Sequence, residues 1–473
     1  MHSFFKHSLL ALAVTALATG AAIAGPAAEL PKDLPPYAAD KPLPVPDIAR
    51  TTLANGLEVW VVPRDGIPRV DYVLAVRNAG HVADPADAPG FASLLAGLLS
   101  EGTSARDSRD IAEFAQAQGG SVGASVTSDG ALVHANALAA NAGPMLSLLA
   151  EVARTPSFPD NEVRLAQANA LQALKAAEAQ PAFRANRALL SAVYGDHPYA
   201  RTQPTEASIM AVTPEGLRRE HQRRFHPDRS LLVVAGRIDA EEAFRLAEQA
   251  FGDWTASGGD VAPVPAPPAR AEPQRLLLQR DGSVQSTLRL ASPAVAATDP
   301  DAIPLQLAGT VLGGSFSSRV MQNLREEKGY TYGARAGAST SARGGHVSGA
   351  ADVRNEVTGA SLTEFFREYE RIGKEPVPAA ELDDTKRYVA GGYLIGNQMQ
   401  ASVAATLASN WLVGLPPEYL GEFVPRVRAV DAGQVQAMAA KYFAPERQSI
   451  IVVGDGAAIS DQLSGWGEFR TVE

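Results

Sequence analysis

A twelve-residue stretch occurs twice in this chain of 473 residues, and this repeat constrains the fold more than any other feature. Residues 225–236 read FHPDRSLLVVAG and residues 443–454 read FAPERQSIIVVG, with Phe, Pro, Arg, Val and Gly in register 218 residues apart. Each copy combines a proline-containing turn with an apolar run typical of a buried strand, and each follows a predicted helix, at 214–224 and 432–442. A repeat at nearly half the chain length predicts two duplicated halves.

A proline-rich segment separates the halves. Residues 257–273 read SGGDVAPVPAPPARAEP, and prolines at this density stiffen a chain into extended geometry, so this segment is predicted to be a linker. The sequence therefore predicts an N-terminal domain over 49–256 and a C-terminal domain over 274–473. Residues 25–48 are also rich in proline and are predicted to form an N-terminal arm.

The first 24 residues have the pattern of a secretory signal peptide. A weakly basic start is followed by an apolar run and by small residues that end in Ala22-Ile23-Ala24. The alternative is a membrane anchor, but the apolar run is shorter than the roughly 20 residues that span a bilayer. The chain has no cysteine, which excludes lipid attachment through a thiol and disulfides. These features predict a periplasmic protein without a stable membrane anchor.

The charge balance argues against one class of partner. The net charge of −10 disfavours nonspecific binding to nucleic acid or to anionic membranes, since both require a basic surface. We therefore expect no nucleic-acid partner.

Hydrophobic patterning in the first half predicts strands paired in hairpins, followed by grouped helices. Residues 57–63 and 70–76 are predicted to pair as one hairpin, and residues 120–127 and 131–138 as a second hairpin. Helices are predicted over about 90–100, from an N-cap at Ser108, over 140–153 and over 160–178. This arrangement predicts an α+β fold in which each half is an antiparallel sheet with helices packed on one face.

Three segments carry a resemblance to a known family. They are NGLEVWVVP at 55–63, GFASLLAGLLSEGT at 90–103 and GGSFSSRVMQNLREEKGYTYGARAG at 313–337. Together they resemble the insulinase/pitrilysin-type zinc metallopeptidases and the related mitochondrial processing peptidases. The resemblance covers nearly the whole mature chain, and it implies a fold of duplicated α+β halves, in agreement with the internal repeat.

The resemblance also implies where a zinc site would lie. Active family members carry H-x-x-E-H on the helix that matches 90–103, where two histidines on one helix face bind zinc and the glutamate takes a proton from zinc-bound water. Here those three positions hold Ser93, Ala96 and Gly97. The family's third ligand is a glutamate on a later helix, but residues 163–177 contain no Asp, Glu or His. The chain is therefore predicted to bind no metal.

Histidines elsewhere do not replace the missing motif. Only His221 and His226 lie close in sequence, at i and i+5, which places them about 140° apart around a helix. Ordinary roles near a helix end are favoured over metal binding for this pair.

The second half keeps a different part of the family's site. Family members use an arginine and a tyrosine from the C-terminal half to hold the substrate backbone, and the matching residues are Arg325 and Tyr332, with Tyr330 as an alternative tyrosine. A tyrosine O–H and an arginine fork both donate hydrogen bonds to a carbonyl oxygen. In the alternative interpretation, Arg325 pairs with Glu326 or Glu327 on a solvated helix and Tyr332 is half-buried in a strand.

Two functional hypotheses follow from the resemblance. In the first, the chain is the non-zinc subunit of a heteromeric periplasmic metallopeptidase: it closes the chamber and binds peptide or unfolded polypeptide for a homologous, zinc-bearing partner. Such a subunit would be inactive alone and would hold no cofactor of its own. In the second, the chain is a non-catalytic binding or scaffold protein with a peptidase-like fold.

Overall fold

The computed structural model describes residues 46–256, 262–268 and 271–472. The predicted signal peptide, most of the predicted arm and parts of the predicted linker lie outside these ranges. Within them, no helix is both long and apolar enough to cross a membrane.

The first half contains one sheet and a series of helices. Its strands are β1 (Ala49–Thr52), β2 (Glu58–Pro63), β3 (Arg69–Arg77), β4 (Ser121–Val126), β5 (Gly130–Leu138) and β6 (Ser230–Gly236). Its helices are α1 (Phe91–Leu98), α2 (Ser108–Ala117), α3 (Ala142–Arg154), α4 (Asp160–Glu178), α5 (Pro181–Tyr194), α6 (Glu206–Met210), α7 (Pro214–Arg224) and α8 (Ala240–Phe251).

The strand order in this sheet corrects one prediction. The order is β1-β2-β6-β3-β5-β4, so β6 lies between β2 and β3. The hairpin expected between 57–63 and 70–76 is therefore wrong, because β6 pairs parallel with β2 and antiparallel with β3. Every residue of β6 is buried, and a strand without a polar face is most stable between two neighbours. The second predicted hairpin is confirmed, since β4 and β5 pair antiparallel.

The second half repeats this design. Its strands are β7 (Arg275–Gln279), β8 (Gln285–Ala294), β9 (Thr331–Thr340), β10 (Gly345–Arg354), β11 (Ser449–Gly454) and β12 (Arg470–Val472). Its helices are α9 (Ala302–Gly309), α10 (Arg319–Met321), α11 (Thr358–Lys374), α12 (Ala379–Gly396), α13 (Gln400–Leu412), α14 (Tyr419–Ala429), α15 (Ala432–Tyr442) and α16 (Gly456–Leu463). Two π-helical segments, Thr310–Gly314 and Gln322–Glu327, follow α9 and α10.

The second sheet has the order β12-β7-β11-β8-β10-β9. The repeated stretches form β6 and β11, which occupy the same central place in the two sheets and are buried along their whole length. The α+β fold of duplicated halves is thus confirmed. The sheets are mainly antiparallel, but β2 with β6 and β7 with both β11 and β12 are parallel pairs.

Helices cover both faces of each sheet, and on one of the two faces the helix belongs to the other half of the chain. The expected helix layer, which includes α1, α3 and α8, packs on one face of the first sheet and forms a hydrophobic core with it. The opposite face is covered by α13, whose Val403, Leu407 and Trp411 pack on β3 and β6. Reciprocally, α5 of the first half packs on β8 and β11 of the second half. This exchange of helices joins the halves through two hydrophobic clusters.

Candidate functional site

Helix α1 is the helix at which the resemblance implies zinc ligands, and its start is fixed by buried polar contacts. Gly90 has φ +80°, and a Cβ there would lie 2.8 Å from Pro204, so glycine is required. The Asp84 carboxylate accepts the Ala92 N–H at 2.9 Å and the Arg224 guanidinium at 2.9 Å. Arg224 has no exposed surface. The start of α1 is therefore fixed by a glycine turn and a buried ion pair.

The side chains of α1 cannot hold a metal ion. Ser93 and Gly97 are exposed, and Ala96 is only 2% exposed. A Cβ at Gly97 would meet no atom within 4 Å, so the surface at this position is open. Across the ranges the structure describes, no three His, Asp or Glu side chains form a group suited to a metal. The residues at this position do not fit zinc.

The later helix α4 packs against α1, and its acidic residues are Asp160 and Glu162 in the first turn and Glu178 at the end. Glu162 lies in the first turn of α4, and its charge acts on Glu101 at the end of the α1 segment. Burial, followed by the charge of Glu162, raises the pKa of Glu101. Two carboxylates without a histidine do not make a zinc site.

The two neighbouring histidines bind backbone groups. The His221 Nε2 lies 2.8 Å from the Ala153 carbonyl oxygen, and the His221 ring stacks on Phe225 at 4.6 Å. Burial lowers the pKa of His221 to about 4, so this ring is neutral at physiological pH. The His226 Nε2 lies 3.0 Å from the Gln222 carbonyl oxygen. Both rings have roles at the end of α7 and the turn that follows it.

In the second half, carboxylates from two helices anchor the segment that carries Arg325. The Arg319 guanidinium forms two hydrogen bonds to Glu381 of α12, at 2.9 and 2.8 Å. The Asn323 amide donates to Glu364 and Glu368 of α11, at 2.8 and 2.9 Å. The backbone that bears Arg325 is thereby fixed on the side that faces α11 and α12.

The Arg325 side chain itself is only partly engaged. It is 39% exposed, and its Nε lies 3.2 Å from a Glu326 carboxylate oxygen. Its guanidinium carbon lies 4.8 Å from the centre of the Phe316 ring, and Phe316 is 59% exposed. The ion pair expected in the alternative interpretation is thus present, but an ion pair at this exposure contributes little, and the guanidinium stays open to a further acceptor.

Tyr332 is 91% exposed, and a β-bulge explains why. Thr331 pairs with Val353 and Ala334 pairs with Ala351, so Tyr332 and Gly333 stand opposite a single residue of β10. A bulge of this kind bends the strand and redirects a side chain, and bulges are frequent next to active sites. The half-buried tyrosine of the alternative interpretation is therefore wrong for Tyr332.

Tyr330 has a different environment. It follows Gly329, whose φ of +62° turns the chain from the π-helical segment into β9, and its N–H donates to the Leu324 carbonyl oxygen at 2.8 Å. Tyr330 is half-buried, whereas Tyr332 projects into solvent. The structure thus places Arg325 and both tyrosines around one short connection, and Tyr332 is the more accessible O–H donor.

Comparison with known proteins identifies the family. Residues 68–204 match the model described as Insulinase (Peptidase family M16), and residues 211–389 match the model described as Peptidase M16 inactive domain. Together these ranges cover more than half of the chain. The first match includes α1, and the second includes Arg325 and Tyr332.

Several bacterial proteins are similar to this chain. An uncharacterized zinc protease of Mycobacterium leprae is 29% identical over 296 residues, which cover 60% of this chain and 64% of that protein. An uncharacterized zinc protease of Bacillus subtilis is 24% identical, over 86% of this chain and 99% of that protein. A crystal structure of a peptidase M16 inactive domain from Pseudomonas fluorescens is 26% identical and superimposes with a TM-score of 0.81, covering 86% of this chain and 98% of that one. The chain therefore belongs to the insulinase family, peptidase family M16.

Proposed function

We propose that this chain is the non-zinc subunit of a heteromeric periplasmic metallopeptidase. One observation carries the proposal: the second half presents Arg325 and an exposed Tyr332, while the zinc positions of the first half hold Ser93, Ala96 and Gly97. A homologous partner would supply H-x-x-E-H and zinc, and this chain would close the chamber and bind the peptide. A scaffold protein would have no need of Arg325 and Tyr332.

The proposed role of Tyr332 is to donate its O–H to the scissile carbonyl as negative charge develops on the oxygen. Arg325 offers several N–H donors in a fixed fork to the same peptide backbone. Donors aimed at developing charge lower the barrier more than they tighten ground-state binding. Their loss should therefore reduce kcat more than it raises KM.

The test uses the complex purified from the native host through a tag on this chain. Tyr332→Phe is expected to lower turnover of an unfolded polypeptide about a hundredfold, the scale measured for loss of one such donor. Arg325→Ala should also lower turnover, and both variants should leave the complex intact. Tyr388→Phe is the matched control, because Tyr388 is 57% exposed on α12 outside the connection that carries Arg325 and Tyr332.

The same experiment decides between the two tyrosines and between the two functions. Tyr330→Phe should leave turnover within about threefold of the original. Unchanged turnover in both the Tyr332 and the Arg325 variants would overturn the subunit proposal and favour the scaffold function. A chain that purifies alone with stoichiometric zinc and cleaves peptides would contradict both functions.

A further inference from the structure

A cavity of about 450 Å³ lies between the two halves, on the face of the second sheet that α5 covers. From the first half it is lined by Asn186, Leu189 and Leu190 of α5, and from the second half by Arg289 of β8 and His346 of β10. Its volume lies within the range of about 300–1,000 Å³ that is usual for ligand pockets. The cavity is therefore large enough for part of a ligand, and its polar groups indicate which part.

Arg289 brings a guanidinium to this cavity without a carboxylate partner. Its Nε donates to the Asn186 Oδ1 at 3.1 Å, and one terminal nitrogen donates to the Leu288 carbonyl oxygen at 2.8 Å. Among the residues that the structure describes, no carboxylate lies within ion-pair distance of this guanidinium, whereas Arg224 and Arg319 each pair with a glutamate. Burial lowers the pKa of Arg289, but an arginine remains charged at neutral pH. The second terminal nitrogen is thus available to a ligand.

Two amide side chains present their N–H groups to the cavity. The Asn186 Oδ1 accepts the Arg289 Nε–H, and the Gln203 Oε1 accepts the Arg187 Nε–H at 3.2 Å. Because a guanidinium donor occupies each amide oxygen, the groups that remain are Nδ2 of Asn186 and Nε2 of Gln203, which are both donors. Neither nitrogen has an acceptor within the described part of the chain. Both amides therefore offer N–H groups to an acceptor in the cavity.

The His346 ring adds a further donor. Its Nδ1 lies 3.0 Å from the Tyr194 hydroxyl oxygen, and burial raises the pKa of Tyr194, so this hydroxyl keeps its proton. Since the described residues give the Tyr194 O–H no other acceptor, it donates to Nδ1, and the ring proton resides on Nε2. Burial lowers the pKa of His346 to about 4, so the ring is a neutral donor at physiological pH. Ser348, two residues along β10, adds a hydroxyl to the same lining.

The charges around the cavity fit a ligand with a single negative charge. Among the described lining residues, Arg289 is the only one charged at neutral pH. Ala350 of β10 pairs with Arg289 on one side and with Arg335 on the other, so the exposed Arg335 lies on the same face of the sheet. Asp352, two residues further along β10, has the opposite charge and accepts the Thr287 hydroxyl at 2.7 Å. One unpaired guanidinium among neutral N–H donors is suited to a carboxylate, which accepts several hydrogen bonds.

We propose that the cavity at Arg289 binds the carboxylate of an acidic peptide, supplied by an aspartate or glutamate side chain or by the C-terminus. The Arg289 guanidinium donates to one carboxylate oxygen, and Asn186, Gln203 and the His346 Nε2–H donate to the lone pairs that remain. Leu190 provides an apolar wall for the methylene groups that carry the carboxylate.

This site deepens the proposed function, since it names a feature of the substrate. The assignment of a peptide as the ligand rests on the proposed subunit function. The cavity itself consists of residues outside the connection that carries Arg325 and Tyr332. Binding of a carboxylate can therefore be measured without a partner subunit and without turnover.

Binding is measured by isothermal titration calorimetry at pH 7 with the purified full chain alone. The probes are three acetylated pentapeptides of alanine: one with a central glutamate and an amidated end, one with a central glutamine and a free C-terminal carboxylate, and one with a central glutamine and an amidated end. At least one of the two carboxylate peptides should bind about tenfold or more tightly than the third, because only a carboxylate forms charge-assisted hydrogen bonds here. The tighter of the two identifies the source of the carboxylate. Equal affinity of all three peptides would overturn the proposal, and so would tighter binding of inorganic phosphate than of either carboxylate peptide.

Two variants of nearly unchanged shape locate the site. Asn186→Asp keeps the oxygen that accepts the Arg289 Nε–H, but its carboxylate neutralises the guanidinium. Gln203→Glu keeps the oxygen that accepts the Arg187 Nε–H, but it replaces an N–H donor with a negative charge. Each should reduce the preference for the carboxylate peptide about tenfold or more. Arg335→Met is the matched control: it removes an exposed charge from the same face of the sheet, outside the lining, and should change the affinity less than about threefold.

The remaining outcomes separate this site from the subunit function. A carboxylate preference retained by Asn186→Asp or by Gln203→Glu would overturn the site, and an equal loss in Arg335→Met would show that the attraction is a diffuse effect of charge. If Tyr332→Phe and Arg325→Ala lower turnover but the chain shows no carboxylate preference, the cavity proposal fails and the subunit function stands. If the carboxylate preference is present but turnover is unchanged in those two variants, the subunit function fails and the cavity remains a peptide site of a binding protein.

Discussion

The two halves can be compared at equivalent residues, because α2 and β4 correspond to the Arg325 segment and β9. Residues 108–125 and 318–335 align 210 positions apart, with Ser-Arg at both starts and a glycine at 119 and 329. These glycines have φ of +76° and +62°, and each turns the chain from a helix into an edge strand. Both halves thus have the same order of helix, turning glycine and edge strand, although the second helix is π-helical over Gln322–Glu327.

The side chains on this common path differ. Arg325 corresponds to Ala115, which is 2% exposed, and Tyr332 corresponds to Val122. The edge also differs, since β4 is regular and β9 carries the bulge that exposes Tyr332. On this equivalent segment the two halves share the order of elements, but only the second half carries an exposed tyrosine and a partly exposed arginine.

The largest expected effect concerns the exchanged helices. The Trp411 ring is 4% exposed, lies 3.6 Å from the Arg77 guanidinium carbon and donates its indole N–H to Glu58 at 3.0 Å. Trp411→Ala should lower the free energy of unfolding by about 4 kcal/mol in a urea titration, because it leaves a cavity where α13 covers the first sheet. Trp411→Phe, which retains a ring, should lose less than half of that. A loss below about 1 kcal/mol for the alanine variant would show that α13 does not hold the halves together.

A pair of variants tests the difference between Ala115 and Arg325. Ala115→Arg should destabilise the chain by about 3 kcal/mol, because it forces a charge into the core beneath α2. Arg325→Ala should change the free energy of unfolding by less than about 0.5 kcal/mol, since the ion pair to Glu326 is exposed to solvent. Equal destabilisation by the two variants would mean that Arg325 has a structural role and would remove the contrast.

The pH dependence of stability compares one histidine of each half. Burial lowers the pKa of His221 and of His346 from 6.5 to about 4. Between pH 6.5 and pH 4 the unfolded chain therefore takes up protons that the folded chain does not. The free energy of unfolding should decrease as the pH is lowered through this window. Each histidine should contribute a loss of about 2 kcal/mol at pH 5 relative to pH 7. His221→Gln and His346→Gln should each remove about 2 kcal/mol of this loss. An unchanged pH profile in either variant would contradict a lowered pKa for that histidine.

The smallest effects concern the two turning glycines. Gly329→Ala should cost about 1 kcal/mol for placing an alanine at positive φ, because a Cβ there meets no atom within 4 Å. Gly119→Ala should cost more, since its Cβ would lie 2.7 Å from Cγ of Leu138. Thermal unfolding of both variants measures the difference. The reverse order would indicate that the two turns are not equivalent.

The sequence predicts the parts of this molecule that depend on local patterns. The helices at 214–224 and 432–442, the β4–β5 hairpin and the duplicated halves are all confirmed. The predicted N-cap of α2, Ser108, is wrong by one residue: Asp107 is the N-cap, and its carboxylate accepts the Asp110 N–H at 2.8 Å. A one-residue error is expected where two good capping residues are adjacent.

Features that depend on distant parts of the chain were not predictable from local patterns. Strand β6 enters between β2 and β3 from more than 150 residues away, so the adjacency of 57–63 and 70–76 in sequence was misleading. The sequence has no local signal for the packing of a helix from one half on the sheet of the other half. The apolar face of α13 would look the same in the sequence whichever sheet it covered. The bulge at Tyr332 depends on the register of β10, which the tyrosine's own neighbours do not specify.

The central claim is that the first half cannot hold a metal and that the second half serves a zinc-bearing partner. It is tested most directly by counting zinc atoms in two preparations, the chain purified alone and the complex purified from the native host through a tag on this chain. We expect no bound zinc in the chain alone and one zinc per complex, lost when the partner is removed. One tightly bound zinc per chain in the preparation without a partner would contradict it.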